Sequence, residues 1–144
     1  MHLLIRKLSA YTGSDLLLGV FRTADDAQRA RVRYLDEVVH GTSDPWAVQA
    51  YHAVSDDDLQ ILSSLVELDL PDAVGAVFVI SSYAEAFGQV VRVFEALAGS
   101  DAAARSYAGT LETKADVELP YHCKVDEVVV GELSRSARGH LVES

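Results

Sequence analysis

The chain has little of what marks a stapled, membrane-spanning or phosphate-binding protein. It has one cysteine, Cys123, in 144 residues. That excludes an internal disulfide and fits a reducing compartment, so a cytoplasmic location is expected. Three prolines and no low-complexity tract leave little room for long linkers. The longest apolar run, counting glycine, is 73–80, far short of the roughly 20 residues a membrane helix needs. At the N-terminus, Leu3, Leu4 and Ile5 are followed by Arg6 and Lys7, the reverse of a signal peptide. There is no G-x-S-x-G, no phosphate-binding glycine-rich loop and no Rossmann fingerprint. No cofactor is expected, and an enzymatic role is left open but not favoured.

Basic charge is missing in one place. From Tyr34 to Val91 there is no Lys or Arg, while ten carboxylates occur there. The net charge is −10, with +3 over 1–33 and −3 over 92–144, so the middle of the chain carries the imbalance. Nucleic-acid binding needs clustered Lys and Arg and is not expected. An acidic block keeps a protein soluble, and it also attracts a cationic partner.

What is present reads as a folded domain, with 49% hydrophobic and 24% charged residues. Apolar runs over 2–8 and 16–22 form a hairpin around a turn-rich loop. Thr23 and Asp26 then cap a helix over 24–40 whose inner face holds Ala27, Ala30, Tyr34 and Val38. An extended segment over 46–54 follows, and Ser55 with Asp58 opens a short helix over 56–67. The order then recurs: a strand over 76–82, a loop over 83–89 and a strand over 90–95. A helix starting near Gly99-Ser100-Asp101 comes next, followed by β-rich runs over 119–125 and 127–133.

The expected fold is therefore α+β, an antiparallel sheet with helices on one face, built from two pseudo-repeated ββαβ units. These span 1–72 and 73–133, with a frayed tail over 134–144. A ferredoxin-like or dimeric α/β-barrel arrangement is the nearest alternative. A shift of 73 carries Val20-Phe21 onto Val93-Phe94, Ala30 onto Ala103 and Tyr34 onto Tyr107. A shift of 70 carries Tyr51-His52 onto Tyr121-His122.

The segment Leu18-Gly19-Val20-Phe21-Arg22-Thr23-Ala24-Asp25-Asp26-Ala27, with the aromatic stretch at Tyr51 and Asp56-Asp57-Asp58-Leu59 after it, resembles small uncharacterised bacterial strand-strand-helix-strand domains. The resemblance runs over 3–59 and departs in the second half, where Leu97-Ala98-Gly99 interrupts the junction. It implies a fold and no activity.

Three groups of residues are candidates for function. His52, His122, Tyr51 and Tyr121 form a speculative ligand site, because histidines at equivalent places on two strands can act as acid and base. Half-buried sheet residues would look the same, and no metal-ligand spacing accompanies them. Trp46, Tyr11 and Tyr83 sit in loops, where aromatics serve as interface anchors or as lids over a small core. Asp56, Asp57 and Asp58 extend that interface, although capping alone accounts for them, and they lack the alternation and glycine of a calcium loop. Cys123 reads as a small buried hydrophobe. The leading expectation is a non-enzymatic module that binds a basic protein, as an inhibitor or immunity protein does. A small-molecule or enzymatic pocket between the halves, and a structural homodimer, are the alternatives.

Overall fold

The computed structural model describes residues 1–7, 15–39, 59–86, 89–113 and 121–133. These divide into two compact units: 1–7, 16–39, 59–63 and 131–133 in the first, and 15, 64–86, 89–113 and 121–130 in the second. Both mix sheet and helix, as expected of an α+β chain. No helix among the described residues is long and apolar enough to cross a membrane.

The first unit has three antiparallel strands, β1 (His2–Arg6), β2 (Leu16–Phe21) and β3 (Leu59–Leu62), in the order β2-β1-β3. Helix α1 (Ala24–Arg33) follows β2 and runs on into a π-helical turn, Tyr34–Val39. Its start is written in the sequence: the Thr23 hydroxyl accepts the backbone N–H of Asp26 at 3.1 Å. Asp25 and Asp26 lie in the first turn and Arg31 and Arg33 in the last, each complementing the helix dipole. Ala27, Ala30 and Tyr34 share one face at helical spacing and are buried with Leu4, Leu18, Phe21, Leu59 and Leu133. The alanines let the helix come close to the sheet, and Phe21 and Tyr34 fill the volume beside them. Leu3, Ile5, Leu17 and Val20 alternate with the helix-facing residues and are also buried.

Pairing of β1 with β2 slips between Leu4 and Ile5, which face Gly19 and Leu17. Leu18 is thus the extra residue of a β-bulge, turned toward α1. Gly19 permits close packing, since a Cβ there would lie 2.8 Å from the Glu132 carbonyl oxygen. Leu133 forms a bridge with Gly19 on the outer side of β2.

The second unit holds β4 (Val66–Leu68), β5 (Ala76–Ala86), β6 (Gln89–Ala98), helix α2 (Asp101–Thr113) and β7 (Tyr121–Val129). Its sheet order is β4-β6-β5-β7. β4 runs parallel to β6, and the other pairs are antiparallel. The Ser100 hydroxyl caps α2 by accepting the Ala103 N–H at 3.1 Å. Ala104 and Ala108 pack on Ile80, Ala96 and Ala98, with Phe78, Tyr107, Leu111, Cys123 and Val125 around them. Here too the hairpin has a bulge: Ile80 faces Ala96 and Ser81 faces Phe94, leaving Glu95 as the extra residue.

Several expectations are corrected. One sheet is expected, and the described residues form two, of three and four strands. The helix read over 56–67 is absent from the described part of that span, where Leu59–Leu62 and Val66–Leu68 are strands. Leu59 and Leu62 suit a helical period, but pairing of Leu59–Leu62 with β1 satisfies the backbone and buries Leu59. The loop read over 83–89 is largely strand, because β5 continues to Ala86 and β6 starts at Gln89. The two runs read over 119–125 and 127–133 merge into β7, which ends at Val129.

Candidate functional site

Two groups of side chains stand out, and both belong to the second unit. The first is built on the face of the sheet turned away from α2. Arg92 on β6 is 8% exposed at its side chain. Its Nε donates to Ser81 Oγ, its Nη1 to the Asp15 carbonyl oxygen and its Nη2 to Asp126 Oδ2, each at 3.1 Å. The guanidinium also lies over Phe94 at 4.5 Å and Tyr83 at 5.2 Å, within cation–π range. Tyr83 stacks on His122, with ring centroids 5.6 Å apart and planes 12° from parallel. Lys124 Nζ completes the group 3.5 Å from Asp126 Oδ1.

Strand geometry explains the convergence. Tyr83 faces His122 and Ser81 faces Lys124 across β5 and β7, while Arg92 faces Tyr83 across β5 and β6. The buried charge of Arg92 is paired and its nitrogens are used. Such an arrangement ties three strands together through the Arg92 guanidinium.

The second group lies on the α2 side. Alternation from Ile80 puts Ser82 and Ala84 on that face, and their partners across β6 are Val93 and Val91. Val91 is 52% exposed and Val93 is 49% exposed. The Ser82 hydroxyl donates to Glu95 Oε1 at 2.7 Å, and further across the sheet, on β7, the Cys123 N–H donates to Glu112 Oε1 at 3.2 Å. Burial, then Glu112, then Glu95 push the Cys123 thiol above its ordinary value of 9.0. A thiol held protonated is a poor nucleophile at neutral pH. The face is therefore apolar and acidic rather than reactive.

Of the residues singled out from sequence, Tyr83 and His122 are brought together. Cys123 is partly buried against the α2 core, as read. Tyr121 is placed on β7, opposite Ala84. His52, Tyr51, Trp46, Tyr11, Asp56, Asp57 and Asp58 lie outside the described residues. Among the described residues, no group of three or more His, Cys, Asp or Glu is arranged to hold a metal ion. Sequence reading passed over Arg92, Val91, Val93 and Glu95. The valines read as core because they alternate in a strand. The signal that could have found the site was Glu95, a carboxylate interrupting an apolar strand. No protein-family model, curated protein or solved structure matches the chain.

Proposed function

We propose that this chain is a non-enzymatic protein-binding module directed at a basic partner, of inhibitor or immunity type, and that it arose by duplication of a ββαβ unit. The observation that carries the binding reading is the absence of Lys and Arg from Tyr34 to Val91 against ten carboxylates. Asp36, Glu67, Asp69 and Asp72 of that block are exposed. A surface potential of one sign speeds and selects association with a partner of the other.

Duplication is supported by matching irregularities. In β1-β2-β3 and in β5-β6-β7 alike the first strand lies between the other two, and each hairpin has a bulge. Aligning the bulges sets Leu4 against Ile80 and Leu18 against Glu95. The same alignment sets cap Thr23 against cap Ser100 and Ala27 against Ala104. The last strands then match through Ile61 and Val125, which face Leu4 and Ile80. The offset is 77 at Thr23 and Ser100, not the 73 read from sequence, and 64 at Ile61 and Val125, not 70. His52 lies outside the described residues, so these registers do not include it.

The test of the binding reading is affinity capture at low and high salt, with the captured proteins identified by mass spectrometry. A basic protein that salt releases is expected. No partner, or capture insensitive to salt, would contradict the reading. Light scattering on the purified chain should show a monomer; a stable dimer with no other partner would favour a structural role.

A further inference from the structure

We infer that the outer edge of β6 over residues 91–95, with Val91 and Val93 beside it, receives an extended basic segment of a protein partner as an added strand. This deepens the binding reading above and rests on it. Three observations converge on that stretch.

The first is an open edge. Among the described residues, β4 pairs only with Ala96–Ala98, and no strand pairs with the outer side of residues 91–95. Unpaired strand edges accept further strands, and proteins commonly guard them with charged side chains. β7, the opposite edge, carries His122, Lys124, Asp126 and Glu127. On β6 the basic residue, Arg92, is turned to the other face and engaged there, so it guards nothing.

The second is a difference in burial between aligned positions of the two units. Under the bulge alignment, Leu16 and Leu18 of the first unit correspond to Val93 and Glu95. Leu18 is fully buried, and Leu16 packs against the same core as Tyr34 and Leu35. Val93 and Val91 remain about half exposed. In the first unit the helix sets buried Tyr34 and partly buried Leu35 against this position, where the aligned residues of α2 are Leu111 and Glu112. An incoming strand in the second unit would bury valines that stand half exposed.

The third is charge, which selects the occupant. Glu95 follows the valines on this face, its carboxylate accepting from Ser82, the partner of Val93. A second copy of the chain would bring its own net charge of −10 to the same edge. A segment alternating Lys or Arg with apolar residues satisfies all three features: its backbone pairs with β6, its apolar side chains meet the valines, and its cations meet Glu95.

The test uses a peptide about six residues long alternating lysine and valine, and a lysine/glycine peptide of equal charge. Amide exchange of the full chain is followed by NMR. The lysine/valine peptide should protect amides within 91–95 and not those of β7. V91K/V93K should weaken its binding at least tenfold, with the melting temperature and the α2 resonances unchanged. V91T/V93T, which adds no charge, should weaken it less but measurably. Protection on β7 or nowhere, or equal affinity of both variants, overturns the inference. Equal, salt-sensitive binding of both peptides without protection of β6 overturns it while leaving the basic-partner reading standing. Strand addition at β6 with no basic protein captured would overturn that reading instead.

Discussion

Both units set a helix against an antiparallel hairpin and a third strand, the second adding the parallel strand β4, but they fill that layer differently. In the first, the helix-facing side of the sheet is packed with Leu4, Leu18, Phe21 and Tyr34. In the second, the comparable layer is built largely from alanine, and the bulge position holds Glu95 rather than a leucine. The first unit ends its apolar face with a buried polar pair, Arg6 Nη1 donating to Tyr34 Oη at 3.2 Å. The second ends it with Ser82 and Glu95, and beyond them Val91 and Val93 meet solvent. One unit has closed its core over this position and the other has left it open. That difference is the basis for placing the proposed binding surface on the second unit.

Exchanging the bulge residues should give the largest effect. Leu18→Glu places an unpaired carboxylate in a closed core and should cost about 4 kcal/mol or more in urea unfolding. The reciprocal Glu95→Leu loses one hydrogen bond at a partly exposed site, and should change stability by only about 1 kcal/mol. Equal losses would show that the two positions are packed alike and would break the comparison.

The Arg92 cluster comes next. Arg92→Met keeps much of the side-chain volume but strands Asp126 and Ser81, and should cost about 2–4 kcal/mol. Arg92→Lys keeps the charge without the planar fork and should recover only part of that. A neutral result for Arg92→Met would mean that the charge network does not hold the three strands together.

Glycines give a smaller contrast. Gly19→Ala forces a Cβ against the Glu132 carbonyl and the Phe21 ring and should cost about 1–3 kcal/mol. Gly109→Ala, inside α2 with open space around it, should stabilise by about 0.5–1 kcal/mol. Thermal unfolding of both variants checks the pair, and destabilisation by Gly109→Ala would show that α2 has neighbours pressing on that side.

The smallest effect concerns pH. Because the folded state holds the Cys123 thiol above 9.0, its contribution is intact below that pH. It is lost as pH rises from there through the folded value, since the unfolded thiol ionises first. Cys123→Ser should therefore flatten the decline in urea midpoint between about pH 8 and pH 10. Curves that stay parallel would show that neither burial nor the neighbouring carboxylates act on the thiol.

Much of the fold was legible where chemistry is local. Thr23 with Asp26 marked the start of α1, and the alternation of residues 2–6 and 16–21 marked the first hairpin. Legibility failed where a partner decides. Leu59–Leu62 becomes a strand through pairing with β1, which no local period reveals. Neither bulge was legible, because an extra residue in a strand is invisible until its partner is known. The candidate site was least legible of all. Tyr83 and His122 were noticed for separate reasons, and only the register of β5 on β7 stacks them. Val91 and Val93 look like core valines, and their exposure depends on how far α2 and β4 reach.

The most direct measurement is a paired stability comparison between V91T/V93T and L16T/L18T. If the β6 strip is a free surface kept for a partner, V91T/V93T should unfold within about 0.5 kcal/mol of wild type. L16T/L18T, at the closed position of the first unit, should lose several kcal/mol, about 3 or more. A comparable loss from V91T/V93T would mean that the chain itself covers those valines, and would contradict the account.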